Sequence, residues 1–127
     1  MTTETEIVPA CPQCKGTEII DFNGRTAVRC AKCKSLERTR VVYLFLERHV
    51  RPQPGWKVLH LAPEAVLSQH LYDLVGDGYE PADLDPARYA KRAPIPVRQL
   101  DLCDGAAKLP SDHYDLVMHN HVLEHVP

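Results

Sequence analysis

The chain has 127 residues, 44% hydrophobic and 25% charged, with a formal net charge of -2. That balance suits one globular domain, or one domain and a small module, and excludes a disordered chain. No apolar run approaches the roughly 18 residues needed to span a bilayer, and the opening MTTETEIVPA has neither a basic nor an apolar signal region, so no membrane partner is expected and the expected compartment is the cytoplasm.

The first chemistry in the chain is a pair of cysteine pairs. Cys11 and Cys14 stand in CPQCK, Cys30 and Cys33 in CAKCK, with fifteen residues between the pairs. Two such knuckles can bring four thiolates to the corners of a tetrahedron about 2.3 Å from one ion, the geometry of a closed structural zinc site. Reduced thiols in a cytoplasmic chain favour this over two disulfides or four free thiols. Between the pairs, Ile19, Ile20 and Phe22, then Asn23-Gly24, then Ala27 and Val28 predict a β-hairpin that carries the second knuckle. A module this short cannot bury enough apolar surface to fold unaided, whereas structural zinc contributes on the order of 10 kcal/mol or more. With all four positions filled by sulfur, the ion is expected to be structural and not catalytic. Cys103, far off in sequence, reads as a small, semi-buried apolar residue.

Residues 1–34 thus form a predicted zinc ribbon, and residues 35–55 a connecting helix and linker. Ser35 is placed to cap that helix, with Glu37 in its first turn and Leu36, Val42, Phe45, Leu46, His49 and Val50 at helical spacing. Pro52, Pro54 and Gly55 end it. The helix is expected to act as a mechanical joint between ribbon and sheet. Between Arg25 and Arg51 stand eight Lys or Arg against two Glu, while residues 52–127 carry six against eleven Asp or Glu. The basic stretch could meet phosphate, but a solvated charged face explains it more simply, and the interleaved aromatics of single-strand readers are missing.

Residues 56–127 predict an α/β sheet. WKVLHLAPE, Trp56 to Glu64, is a short apolar strand that stops at a turn and enters a helix, marked by Ala65, Val66, Leu67, Leu71 and Leu74. After Gly76-Asp77-Gly78, Tyr79 to Ala82 supplies a second strand closed by Asp83, Leu84 and Asp85. An acidic residue about 20 positions beyond a first strand can accept hydrogen bonds from both ribose hydroxyls, and Asp83 sits there. Its plainer reading is a helix cap or turn, which Asp85 before Pro86 fits better. Val97 to Leu102 predicts a third strand ending in Asp101, and Tyr114 to His119 a fourth. The run Asp115-Leu116-Val117-Met118 within that fourth strand, read as continuously apolar, predicts burial on both faces and a central place in the sheet. The tail HVLEH, His121 to His125, matches a zinc-protease pattern. It falls at a strand end instead of mid-helix and is read as a polar loop lining a ligand crevice.

Taken together, KVLHLAPE, the Asp83-Leu84-Asp85 strand end, QLDLCD with the later KLP, and YDLVMHNHVLEHVP resemble the N-terminal part of class I S-adenosylmethionine-dependent methyltransferases. More narrowly, the chain is similar to a bacterial group in which an LHFAPE-like stretch replaces the usual glycine-rich motif, behind a zinc ribbon and an SLER helix such as Ser35 to Arg38. The resemblance implies an incomplete Rossmann-like methyltransferase sheet and S-adenosylmethionine as cofactor beside the structural zinc. It places His60, Leu61, Ala62, Pro63 and Glu64 beneath the methionine part of the cofactor, Asp83 on the ribose, and Asp101 with Leu102 along the adenine. Asn120 and His121 would line the methyl-transfer side, with His121 as candidate base.

This sequence departs from the family at the loop, where His60 stands in place of the usual acid and Ala62 and Pro63 in place of glycines. Glu64 would then meet the cofactor's ammonium group. The family fold continues past the fourth strand, so the chain reads as a truncated piece, inactive alone, whose open strand edge pairs with the remaining part or with another chain. The methyl acceptor, small molecule or macromolecule, is not readable from these residues. The competing expectation is a non-enzymatic zinc-ribbon module that binds protein or nucleic acid.

Overall fold

Asn23 and Gly24 hold φ angles of 49° and 76°, the left-handed pair that a tight two-residue hairpin turn requires. Around them β1 (Ile19–Phe22) and β2 (Arg25–Cys30) pair antiparallel, with a register shift between Ile20 and Phe22. The hairpin belongs to the first of two compact units, Met1–Val50 and Arg51–Pro127. These are the units of a computed structural model that describes residues 10–120 and Val122.

In the first unit the hairpin is followed by α1 (Glu37–Phe45), which continues through a π-helical turn over Leu46–Val50. The helix therefore groups with the ribbon. Leu36 and not Ser35 flanks its first turn, and no side chain caps it. The expected cap fails because the Ser35 hydroxyl is directed at the sulfur cluster, 3.0 Å from the Cys33 Sγ. Thr39 and Leu46 are the buried positions, whereas Phe45, expected on the apolar face, is 56% exposed. Arg40 ties α1 to the hairpin, its guanidinium donating to the carbonyls of Ser35 (2.6 Å) and Val28 (3.0 Å).

The second unit is a mixed α/β arrangement around a four-stranded parallel sheet. Its elements are β3 (Val58–Leu61), α2 (Ala65–Val75), β4 (Tyr79–Asp83), β5 (Arg98–Gln99), α3 (Leu102–Gly105) and β6 (Leu116–His119). The strands lie in the order β5-β4-β3-β6. The chain thus builds outward from β3 through β4 to β5, then returns to the opposite side of β3. All four residues of β3 are buried. Leu59 and Leu61 face one side, in a cluster with Ala82 and Leu100 that Leu102, Leu109, Tyr114 and Val122 partly cover. His60 faces the other, beneath α2, whose Leu67, Ser68, Leu71 and Val75 are buried. Burying one such leucine stabilises by roughly 1.5–3 kcal/mol.

Two strand expectations change. The strand predicted from Val97 to Leu102 is reduced to Arg98–Gln99, because Asp101 accepts the amide of Cys103 at 3.0 Å and turns the chain into α3. The run predicted to be central, Tyr114 to His119, forms β6 at one end of the four-stranded sheet, and Val117 is 50% exposed. A continuous apolar run signals sheet membership; it does not by itself supply cover on both faces.

Candidate functional site

The four knuckle cysteines converge. Their sulfurs all lie within 4.8 Å of one another, with Cys11 and Cys33 at 3.7 Å and Cys14 and Cys30 at 3.5 Å. A disulfide would bring sulfurs to about 2.05 Å, whereas a tetrahedral ion at 2.3 Å from each sulfur sets them about 3.8 Å apart. The cluster therefore has the size of a metal site. It could hold one ion such as zinc.

Both knuckles share one backbone design. Lys15 and Lys34 take φ angles of 67° and 68° just after the second cysteine of each pair. The Lys15 amide donates to the Cys11 carbonyl and the Lys34 amide to the Cys30 carbonyl, at 2.8 and 2.9 Å. The amides of Cys11 and Cys30 in turn reach the carbonyls of Gly16 and Ser35, at 2.8 and 2.9 Å. These tight turns direct amide hydrogens at sulfur, as where Gly16 donates to the Cys14 Sγ at 3.4 Å.

The electrostatics follow. Burial raises the Cys11 thiol, but the amides of Cys14 and Gln13, with the Ser35 hydroxyl and Cys33, outweigh it and hold it at about 6. Burial likewise opposes ionisation of Cys30, which the amides of Cys33 and Lys32 and the thiol of Cys14 reverse to a net lowering. Burial pushes Cys14 up to about 11, with the Gly16 amide opposing and the neighbouring thiols of Cys30, Cys33 and Cys11 adding to it. Four adjacent sulfurs share protons among themselves in this way until a cation displaces them. The donor set suits a thiophilic divalent ion.

In the second unit, polar groups gather at the carboxyl ends of the parallel strands. Glu64 flanks the start of α2 just past β3, and Asn120 follows β6. The Asn120 side-chain amide donates to the Glu64 carboxylate at 3.1 Å. Strand order reverses between β3 and β6, and in open α/β sheets that reversal opens a crevice for ligands. Between them and the sheet, Ala62 holds φ at 52°, and its amide donates to the Ala82 carbonyl at 3.1 Å. An alanine thus adopts the left-handed backbone that a glycine would take without strain.

Asp83 ends β4 and Asp101 follows β5, on adjacent parallel strands, with the Leu100 amide donating to the Asp83 carbonyl at 2.9 Å. They lie at the same end of the sheet, and among the described residues neither is buried in an ion pair. Each carboxylate has one oxygen on the amide two residues on: Asp83 on Asp85 at 2.8 Å, Asp101 on Cys103 at 3.0 Å. Leu102 packs against the Leu59, Leu61, Ala82 and Leu100 cluster. Tyr89 is a further residue here. Burial raises its phenol, and the carboxylates of Asp83, Glu64 and Asp85 add to that against the opposing Arg88.

His60 lies elsewhere. Its imidazole is fully buried, with Nδ1 2.8 Å from the Tyr79 hydroxyl, which is 2.5 Å from the Ser68 hydroxyl. Burial pulls the ring down to about 3, so it is neutral, and its Nε2 is unpartnered among the described residues. A bare acceptor is cheaper to bury than a bare N–H, which favours Nδ1–H donating to Tyr79 and Tyr79 to Ser68. The ring is thus a polar brace inside the unit, and only the His60 backbone belongs to the strand end.

Of the residues singled out by sequence, the structure joins the four cysteines in one cluster and Glu64 with Asn120 in one bond, and sets Asp83 beside the strand that leads to Asp101. His121 and the rest of HVLEH lie outside the described residues. Sequence reasoning missed Tyr89, which only its position after β4 could have suggested. Comparison with known proteins adds no relative: no family model, no curated protein and no solved structure matches the chain.

Proposed function

We propose that this chain is the N-terminal portion of an S-adenosylmethionine-dependent methyltransferase, stapled by a structural zinc ion on Cys11, Cys14, Cys30 and Cys33. The observation that carries the reading is the meeting of Glu64 and Asn120 at the strand-order reversal, with Asp83 ending the neighbouring strand. The methionine end of such a cofactor carries an ammonium, which a carboxylate such as Glu64 would pair. The ribose offers two hydroxyls to the second oxygen of Asp83, and Asp101 with Leu102 would border the adenine. The backbone of His60 and Ala62 would lie beneath. The bound sulfonium supplies an already activated methyl group, so the protein's share is to hold acceptor and methyl carbon in line and to accept a proton. His121 is the residue proposed for that proton.

Calorimetry with S-adenosylmethionine tests the reading on this chain and on one extended at its C-terminus. Binding that depends on Glu64 and Asp83 is expected; if neither form binds, the enzyme reading is wrong. A second reading has its own observation: each aspartate already serves a local turn, the task a mere scaffold would set it. In that reading the chain is a zinc-ribbon module that binds protein or nucleic acid, and Glu64→Gln and Asp83→Asn would leave its binding unchanged.

A further inference from the structure

The two knuckles repeat one backbone hydrogen-bond pattern, and differ in side chain at Pro12 and Ala31, Gln13 and Lys32, and Gly16 and Ser35. Gly16 and Ser35 both stand two places after the second cysteine of their pair, and the carbonyl of each accepts the amide of the first cysteine. At Gly16 a Cβ would be crowded, 3.0 Å from the Lys32 Cβ and 3.3 Å from the Cys14 Sγ, so its neighbours would have to give way. At Ser35 a side chain is present, 4% exposed, with its hydroxyl oxygen 3.0 Å from the Cys33 Sγ and 3.8 Å from the Cys11 Sγ. It does not cap α1.

Arg40 also reaches Ser35. Its guanidinium donates to the Ser35 carbonyl at 2.6 Å and lies 3.5 Å from the Ser35 Oγ. Arginine has no acceptor, so its contact takes one lone pair of Oγ, and a metal-bound Cys33 thiolate has no proton to give, which makes the hydroxyl the donor between them. The nearest sulfur is Cys33. Such a charge-assisted bond to a thiolate is stronger than one between neutral groups, and burial keeps water from competing for it.

We propose that Ser35 is a positioning residue of the metal centre. Its hydroxyl donates to the Cys33 thiolate and, through Arg40, links the centre to α1. The proposal rests on the reading of the four cysteines as a metal site. It goes beyond that reading in assigning a fifth residue that sets how tightly the ion is held and how strongly one sulfur donates. Groups that hold a metal ligand from outside are typically worth 10- to 100-fold in metal affinity.

The test uses the full chain loaded with zinc or with cobalt(II), the latter reporting each thiolate through its sulfur-to-cobalt charge-transfer band. Zinc affinity is read by competition with a chromophoric chelator. Ser35→Ala is expected to bind zinc about 10-fold or more weakly and to move the cobalt band to longer wavelength, because a sulfur relieved of its donor gives up charge more easily. Ser35→Gly, which copies the first knuckle, should shift the band the same way, so either variant that loads metal decides the matter. Ser35→Thr, which keeps the hydroxyl, should restore both readouts. A wild-type chain that takes up neither metal refutes the metal site itself. Metal uptake with an unmoved band in both Ser35→Ala and Ser35→Gly refutes the role of Ser35, even if affinity falls.

Discussion

The side-chain amide of Asn120 donates to the carboxylate of Glu64 across 3.1 Å, joining the ends of two neighbouring parallel strands whose residues stand 56 positions apart in the chain. The bond sits where strand order reverses, so a group that draws on Glu64 is felt at β6. Asn120→Asp would set two carboxylates face to face. It is expected to cost about 1 kcal/mol of stability and to weaken S-adenosylmethionine binding at least 10-fold, measured by urea unfolding and calorimetry. Glu64→Gln keeps the hydrogen bond and removes the charge, and should weaken the cofactor with little change in stability. Unchanged affinity in both variants would remove Glu64 from the proposed site.

His60 makes stability depend on pH. Its ring is held at about 3 in the folded chain by burial, while an unfolded histidine titrates near 6.5. A group depressed on folding leaves the unfolded state with more protons between those values, so its contribution is full above pH 6.5 and is lost as pH falls toward 3. The expected slope within that window approaches about 1 kcal/mol per pH unit. Urea unfolding from pH 7 to 5 on the wild type and on His60→Gln checks it. The variant should be less stable at pH 7 and should lose most of this slope; equal slopes in the two proteins would mean the imidazole is hydrated.

Removing the metal should melt the ribbon. Two knuckles and a two-stranded hairpin bury Cys11, Cys30 and Ser35 but little apolar side chain, too little to offset the entropy of ordering the segment. Addition of a strong chelator at pH 7 is expected to abolish amide protection from Cys11 to Cys33, followed by hydrogen exchange. Restoring zinc should return it. Protection that survives chelation would mean that sulfur packing alone holds the unit.

Two backbone positions give opposite outcomes. A Cβ on Gly78 would lie 1.9 Å from the Trp56 carbonyl oxygen, and no side-chain rotation relieves a clash with backbone. Gly78→Ala should cost about 2 kcal/mol or more. Ala62 already holds φ at 52°, a conformation that costs an L-residue roughly 1–2 kcal/mol and glycine nothing. Glycine's extra freedom in the unfolded chain offsets about half of that. Ala62→Gly should therefore stabilise by about 0.5 kcal/mol, and Ala62→Val should destabilise, both read from thermal unfolding.

Much of this architecture is written in short-range patterns. The spacing of Cys11, Cys14, Cys30 and Cys33 selects a metal-sized cluster, Asn23-Gly24 selects the hairpin, and the buried run Val58 to Leu61 before an amphipathic helix selects the strand-turn-helix unit. Turn dihedrals and hydrophobic periodicity act over a few residues, and a few residues suffice to read them. The twin knuckles also carry a local signal: Ser35, with a hydroxyl, stands where Gly16 stands in the first knuckle.

Which partner a side chain meets is a different matter, because it depends on groups far away in the chain. Ser35 had the spacing of a helix cap, but its hydroxyl lies 3.0 Å from the Cys33 sulfur, in a cluster that Cys11, 24 positions before it, completes. His60 belonged by sequence to a ligand loop, yet strand alternation turned its ring under α2, where Tyr79 and Ser68 receive it. The apolar run around Val117 was strong enough to secure a strand but silent on its place in the sheet, since the order of strands is decided by which edges remain open when the chain returns. Local propensity and spacing thus determined the elements and the sulfur cluster. Only packing across 19 to 58 positions of chain, as between His60 and Tyr79 or Lys57 and Asp115, decided which polar groups point inward and which meet at the strand ends.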